Sequence, residues 1–135
     1  GLSKDLGFTD VDRVENIRRI AETSKLMVDA GLMVLVSFIS PFAAERRFAR
    51  NLLEEREFIE IFIDATVELC ASRDPKGLYK KVEDGEIKNF TGIDSPYESP
   101  EEADITIDSA KIEAVKAADQ IMLYLEINGY LANLD

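Results

Sequence analysis

Apolar residues recur at two different spacings along the chain, and the two spacings predict helices that alternate with strands. Between positions 10 and 30 the apolar residues lie three or four apart, as on one face of an α-helix. This stripe runs through Val11, Val14, Ile17, Ile20, Ser24, Met27 and Val28, of which Ser24 is polar. Thr9 followed by Asp12 resembles a capping box, and Gly31 suits the end of the helix.

Four further helices are predicted along the rest of the chain. They cover 42–55, 66–72 and about 111–128, with a short helix at 77–83 inside a loop region of 73–103. One side of the last helix is apolar and carries Ile112, Val115, Ala118, Met122 and Leu125.

Continuous apolar runs separate these helices and are typical of strands buried on both faces. The runs are 32–39 and 58–64, with a weaker strand at 105–107. Their alternation with helices predicts an α/β fold, with a parallel sheet and helices on both faces. Three strands are few against a usual sheet of about 4–6, so we expect at least one strand to be absent from this chain.

Length and composition place the chain among single globular domains. It has 135 residues, of which 46% are hydrophobic, and no run approaches the ~20 apolar residues that span a bilayer. Because Cys70 is the only cysteine and no secretory signal precedes it, we expect a reducing, cytoplasmic location. The absence of histidine excludes Ser-His triads and His metal sites. Since residue 1 is Gly, we expect the true start to lie upstream.

The net charge of −11 argues against binding to nucleic acid or to an anionic membrane. The charge is uneven, because residues 91–135 contain ten acidic residues and only two basic ones, Lys111 and Lys116. A small anionic ligand is therefore expected to meet the first two thirds of the chain.

Arg13 and Asn16 lie one turn apart at the start of the first predicted helix, just after Phe8. A helix N-terminus attracts anions, and arginine there can bind phosphate or sulfate with two hydrogen bonds. The alternative is a solvated helix face, with Phe8 packing against the first turn.

Ser40 directly follows the first predicted strand. Ligands of open α/β sheets bind at the carboxyl ends of strands, so Ser40 either contacts a ligand or only shapes the turn. Without a histidine to deprotonate it, independent serine catalysis is not expected.

Residues 73–81 form the densest basic segment, with four cationic side chains, Arg73, Lys76, Lys80 and Lys81. Such a segment, which also contains Gly77, suits a mobile lid over phosphates, or else is a solvated surface loop. Further on, Phe90 either stacks on a base or fills the core. No cluster in the sequence has the spacing of metal ligands.

Taken together and in this order, these segments resemble adenylylsulfate kinase (APS kinase). The matching segments are Lys4–Phe8, Asp12–Arg19, Phe38–Pro41, Arg73–Lys81 and Gly85–Glu98. The resemblance runs from residue 1 to about 100 and is specific, because the long lid motif is typical of this family rather than of P-loop kinases in general.

The resemblance implies a P-loop kinase fold and transfer of the γ-phosphoryl group of MgATP to the 3′-hydroxyl of adenylyl sulfate, which forms 3′-phosphoadenylyl sulfate. ATP is then a co-substrate that brings Mg²⁺, and no metal ligand is expected in this chain. Family members commonly form homodimers and can be fused to, or associate with, sulfate adenylyltransferase.

The resemblance also assigns roles to individual residues. The matches to substrate-binding positions are Phe8, Arg13, Asn16, Ile39, Ser40, Lys76, Asn89 and Phe90. Phe8 and Phe90 would sandwich the adenine, and Arg13 would lie near the phosphosulfate. Arg73, Lys80 and Lys81 would face the nucleotide phosphates. Ser40 matches a position labelled as a phosphoserine intermediate, but we expect no covalent role, because in-line transfer needs only positioning and charge stabilisation.

The chain departs from the family in one respect. The Walker A loop, Gly-x-x-x-x-Gly-Lys-Ser/Thr, and the Asp-Gly-Asp-Asn segment of the family do not occur in it. We therefore expect residues 1–135 to be a partial kinase domain with a lid at about 73–100, lacking the first strand and the P-loop, and inactive alone.

Two other functions remain open at this point. One is a P-loop kinase that acts on another small metabolite or nucleoside, for which an aromatic pair such as Phe8 and Phe90 would be unnecessary. The other is a catalytically inactive kinase-like domain kept for assembly.

Overall fold

The computed structural model describes residues 1–131 and confirms the predicted alternation of helices with short strands. The helices are α1 (Asp10–Asp29), α2 (Ala43–Asn51), α3 (Val67–Arg73), α4 (Leu78–Glu83) and α5 (Ala114–Ile127). The strands are β1 (Ile61–Asp64) and β2 (Ile105–Asp108).

The chain divides into two compact units, each made of two segments. The first unit comprises 1–58 and 76–101 and contains α1, α2 and α4. The second comprises 59–75 and, of the described residues, 102–131, and it contains β1, α3, β2 and α5. The lid expected at 73–100 therefore falls mainly within the first unit.

In the first unit, α1 packs against α2 and buries Ala21. The predicted capping box at the start of α1 is present, because Thr9 and Asp12 each bond the other's backbone N–H. The predicted stop is also correct. Gly31 has a φ of +81°, which glycine adopts without steric cost, and its N–H donates to the carbonyl of Val28 at 2.8 Å.

In the second unit, β1 and β2 pair in parallel, with Ile61 opposite Ile105 and Asp64 opposite Asp108. Ile107 is the most deeply buried side chain of the described residues that belong to this unit, at 1% exposure. Parallel pairing across a long crossover that contains helices is the arrangement that the alternating pattern predicted.

The predicted strand at 32–39 is wrong for this structure. No strand is assigned between α1 and α2, and the described residues provide no ladder partner for this segment. Six of its apolar side chains are 47–88% exposed, and Leu35 is the most exposed of them. An apolar run becomes a strand only when a neighbouring strand takes its N–H and C=O groups, and that condition is not met here.

Two predicted helices are shorter than expected because side chains close local turns at their ends. Helix α2 ends at Asn51 rather than at 55. Just after this end, the carboxylate of Glu57 accepts the N–H of Glu54 and closes a separate turn. Helix α5 begins at Ala114 rather than 111, because Asp108 accepts the N–H of Ala110 and holds the chain in a turn.

The apolar side predicted for the last helix is largely exposed in the structure. Val115 is 71% exposed and Met122 48%, whereas Ile121 and Tyr124 are partly covered. None of the helices within residues 1–131 is both long enough and apolar enough to cross a membrane.

Candidate functional site

The start of α1 is held by reciprocal hydrogen bonds between Thr9 and Asp12. The N–H of Asp12 donates to Oγ1 of Thr9 at 3.2 Å, and the Thr9 hydroxyl donates to Oδ2 of Asp12 at 2.7 Å. The hydroxyl bond is the main reason that the pKa of Asp12 lies below its usual value. This cap places Phe8 directly before the helix with its ring 78% exposed.

Arg13 joins the first turn of α1 to a loop almost eighty residues further along the chain. Its Nε donates to the carbonyl of Phe8 at 3.2 Å. Its two terminal nitrogens donate to the hydroxyl of Thr91 and to the carbonyl of Asn89. The guanidinium fork therefore fixes the position of the 89–91 backbone relative to the start of α1.

The carboxylate of Asp94 shapes the same loop from the other side. Oδ2 accepts the N–H of Asn89 at 2.8 Å, and Oδ1 accepts the N–H of Phe90. Asn89 has a φ of +57°, a left-handed conformation that asparagine tolerates better than most residues. The bond from Asn89 is the main cause of the lowered pKa of Asp94, and the bond from Phe90 and the charge of Arg13 lower it further.

Phe90 packs against Tyr79 of α4. The two ring centroids are 4.9 Å apart at an interplanar angle of 72°, which is an edge-to-face contact. Phe90 is half-buried, and Phe8 is far more exposed. An exposed ring and a partly packed ring in one unit both present faces on which a planar heterocycle can stack.

Ser40 adopts a strained backbone conformation at the predicted position after the apolar run. Its φ is +39°, which costs a non-glycine residue on the order of 1–3 kcal/mol and persists only where the surroundings impose it. Two contacts impose it here. Arg46 Nη1 donates to the carbonyl of Ser40 at 2.7 Å, and the N–H of Glu98 donates to the carbonyl of Pro41 at 2.8 Å.

The predicted cationic lid residues fall into two groups. Lys76, Lys80 and Lys81 are exposed in the first unit, on and just before α4. Arg73 belongs to the second unit, where its Nη2 donates to the carbonyl of Ser109 at 2.6 Å. The end of strand β2 therefore holds Arg73 at the position where α3 ends.

The described residues contain no group of three or more acidic or cysteine side chains that could hold a metal ion. The chemistry that the arrangement does offer is recognition of an anion and stacking of a planar ring, from Arg13 and the two phenylalanines.

The structure brings together some of the predicted site residues. Arg13, Asn89 and Phe90 meet in the first unit through the loop contacts described above. Ile39 is 62% exposed and lies beside the strained Ser40, while Asn16 is half-buried on α1.

The sequence analysis missed the residues that hold this site in place. They are Thr91, Asp94, Arg46 and Glu98. The sequence around Asp94 could have indicated its role. Asp94 follows Asn89, Phe90 and Gly92 within five positions, and aspartates in such turns commonly accept hydrogen bonds from backbone N–H groups. The contacts of Arg46 carried no such signal, because they join residues up to 52 positions apart.

With this geometry established, comparison with known proteins identifies its family. The family model for adenylylsulphate kinase matches residues 1–108. Among curated relatives, an adenylyl-sulfate kinase of Marinobacter nauticus is 56% identical over 126 residues, which cover 93% of this chain and 63% of that protein. A bifunctional enzyme NodQ of Rhizobium tropici is 59% identical over 125 residues, which cover 93% of this chain and 20% of that enzyme.

A solved structure is similar to the chain throughout most of its length. It is the APS kinase CysC of Mycobacterium tuberculosis in complex with AMPPNP and APS, with a TM-score of 0.88 and 42% identity. The alignment covers 93% of this chain and 73% of CysC, and it confirms the expected kinase-like α/β fold. The chain spans about two thirds of the length of the adenylyl-sulfate kinases that it matches. The resemblance seen in the motifs is thus confirmed, and the chain belongs to the adenylylsulphate kinase family.

Proposed function

We propose that the full-length protein transfers the γ-phosphoryl group of MgATP to the ribose 3′-hydroxyl of adenylyl sulfate. A bond forms between the 3′-oxygen and the γ-phosphorus while the bond from that phosphorus to the β–γ bridging oxygen breaks. The 3′-hydroxyl releases its proton to the solvent, so the products are 3′-phosphoadenylyl sulfate, MgADP and a proton. This reaction belongs to sulfate activation.

The proposal rests on the hydrogen bonds between Arg13 and the 89–91 loop, in a chain that belongs to this family. These bonds place a cation that can bind a phosphosulfate next to the loop of Phe90, an aromatic residue that can stack on adenine. The similar CysC structure contains AMPPNP and APS, which supports an adenine nucleotide and an adenylyl sulfate as the two ligands of this fold.

Within this proposal the substrate residues keep the roles that the resemblance implied. Phe8 and Phe90 flank the adenine, and Arg13 with Asn16 binds near the phosphosulfate. Ile39 and Ser40 contact the substrate from the turn after the apolar run. Lys76 and Asn89 reach it from the lid, where the backbone N–H of Asn89 is held by Asp94 and the residue is exposed.

The remaining lid cations are proposed to act on the nucleotide. Arg73, Lys80 and Lys81 face the phosphates of MgATP, where positive charge offsets the negative charge that moves from the γ- to the β-phosphate side. The exposure of Lys80 and Lys81 on the short helix α4 suits side chains that meet a ligand rather than a core.

Three further properties belong to the same proposal. The protein forms a homodimer, it works in the cytoplasm, and it is freestanding or joined to a sulfate adenylyltransferase. The similarity to the much longer bifunctional NodQ enzymes supports joining as one arrangement in which such a domain occurs.

The direct test is transfer of labelled γ-phosphate by the purified full-length protein. Adenylyl sulfate should be phosphorylated, whereas AMP, which lacks the sulfate, should be a far poorer acceptor. Phosphorylation of a different nucleoside or small metabolite in preference to adenylyl sulfate would overturn the proposal in favour of another P-loop kinase. Binding of both ligands without turnover would indicate a catalytically inactive domain.

A further inference from the structure

We propose that Arg46 is a positioning residue for the proposed substrate contact Ser40, and that Glu98 assists it from the end of the lid. The inference rests on the proposed function, because it is Ser40 that would touch adenylyl sulfate. Arg46 itself acts through the turn at 40–41 and touches no substrate.

The guanidinium of Arg46 bridges two chain segments that are more than fifty residues apart in sequence. Nη1 donates to the carbonyl of Ser40 at 2.7 Å, and Nη2 donates to the carbonyl of Glu98 at 2.6 Å. The side chain is buried, with 8% exposure, and its guanidinium carbon lies 5.9 Å from the ring centroid of Tyr97. A buried cation held by two carbonyls and an aromatic ring has little freedom to move.

Glu98, at the end of the lid, also holds the turn at 40–41. Its N–H donates to the carbonyl of Pro41 at 2.8 Å, and its Oε2 accepts the N–H of Ala43 at 2.6 Å. The N–H of Ala43 lies at the start of α2, where backbone donors lack partners within the helix. The lid end is thus bonded to the turn and to the helix that carries Arg46.

These bonds explain how Ser40 can keep a φ of +39°. A serine persists in that conformation only where its surroundings hold it, and here the carbonyls of Ser40 and of the next residue, Pro41, both accept hydrogen bonds. Lysine cannot replace arginine here, because an ammonium group is a point charge without the planar fork that reaches two carbonyls at once.

The decisive experiment compares Arg46→Lys with Arg47→Lys in the full-length protein. Arg47 is the adjacent, exposed arginine on the same helix and serves as the matched control. We expect Arg46→Lys to raise the KM for adenylyl sulfate on the order of tenfold while the KM for ATP stays within about twofold, as for loss of one charge-assisted hydrogen bond. Arg47→Lys should leave both constants unchanged.

A second readout needs no activity. The amides of Ala43 and Glu98 donate across the turn, so their hydrogen exchange reports whether the turn is held. Measured without substrate, it should accelerate about tenfold or more in Arg46→Lys and stay unchanged in Arg47→Lys, because the turn loses its anchor. Unchanged exchange at both amides, or equal rises of both KM values, would overturn the inference. If the unmodified protein fails to phosphorylate adenylyl sulfate, the proposed function fails, and the exchange result still decides whether Arg46 anchors the turn.

Glu98→Ala provides a variant with little risk of misfolding, since Glu98 is exposed. It removes the side-chain bond to Ala43 but keeps both main-chain bonds of residue 98. We expect a smaller rise in the KM for adenylyl sulfate, about threefold, in keeping with loss of one bond at an exposed helix end. A larger effect than that of Arg46→Lys would contradict the leading role of Arg46.

Discussion

At the scale of single residues, Arg13 has acceptors within the chain for each of its three nitrogens. They are the carbonyls of Phe8 and Asn89 and the hydroxyl of Thr91, all of them neutral. A phosphate or sulfate oxygen would compete well for these donors, because a hydrogen bond to an anion is roughly twice as strong as one to a neutral oxygen. Under the proposed function, Arg13 would exchange a loop contact for a ligand contact.

Replacing Arg13 by alanine tests this exchange. In the full-length protein we expect Arg13→Ala to weaken adenylyl sulfate binding by about 10- to 100-fold, as for loss of a hydrogen bond to a charged group. ATP binding should change far less. Isothermal titration with each ligand separately measures both effects.

The control for this experiment is Arg18→Ala. Arg18 lies on the same helix, and its guanidinium donates to Glu15 at 2.7 and 2.9 Å rather than to the loop. We expect its removal to leave both affinities nearly unchanged. Equal loss of both ligands in Arg13→Ala would contradict the assignment of Arg13 to adenylyl sulfate.

A substitution of Ser40 tests whether phosphoryl transfer is direct or passes through a covalent intermediate. If phosphoryl transfer is direct, Ser40→Ala removes one substrate contact and the full-length protein keeps substantial activity, within about tenfold of normal. Steady-state kinetics and mass spectrometry of the intact protein measure the outcome. Complete loss of activity in a folded variant, with a trapped phosphoserine in the unmodified protein, would establish a covalent intermediate instead.

At the scale of elements, α1 is fastened to the segment before it by a network around Arg19. Its guanidinium bonds both oxygens of Asp5, at 2.6 and 2.7 Å, and Oε1 of Glu15 at 2.8 Å. Hydrogen bonds from Arg19 lower the pKa of Asp5 to about 2, and those from Arg18 and then Arg19 lower the pKa of Glu15 to about 2.

Because of this network, we expect the stability of the protein to depend on pH. Since both carboxyl pKa values are lower in the folded state than their ordinary values of 3.8 and 4.5, the stabilisation is present above about pH 4.5 and is lost as pH falls towards 2. We expect Arg19→Met to make the urea midpoint of unfolding less dependent on pH between 2 and 5. Lys4→Met, which removes an exposed charge nearby, should retain the slope of the unmodified protein.

At the scale of the whole molecule, the described residues leave much apolar surface uncovered. Ala21 and Ile107 are the buried hydrophobic side chains among residues 1–131, whereas the 32–39 segment and one side of α5 are exposed. Exposed apolar surface of this kind binds hydrophobic dyes.

We therefore expect residues 1–135, expressed alone, to bind the dye ANS. Leu35→Lys should reduce dye fluorescence and change the free energy of unfolding by less than about 0.5 kcal/mol, because Leu35 is 88% exposed. Ile107→Ala is the reference for a buried site, since Ile107 is 1% exposed, and should cost about 2–5 kcal/mol. A comparably large loss of stability in Leu35→Lys would show that the 32–39 segment is buried in solution.

Local patterns were sufficient to predict those features that depend on near neighbours. Thr9, Asp12 and Gly31 predicted both ends of α1, because capping bonds span only a few residues. The order of the lid and substrate motifs predicted the family, and the roles proposed for Arg13, Asn89 and Phe90 follow from that resemblance. The uninterrupted apolar runs correctly predicted a strand at β1 and its parallel pairing with β2. The apolar run at 32–39 also predicts a strand, but the structure has none there.

The tertiary structure alone decided the contacts that join distant segments. The bonds of Arg13 to the 89–91 loop and of Arg46 to Ser40 and Glu98 depend on how the chain returns past itself, and a one-dimensional pattern carries no distance between residues so far apart. The 32–39 run illustrates the same limit. Its sequence determined an apolar segment, but whether such a segment becomes a buried strand depends on whether another strand lies beside it.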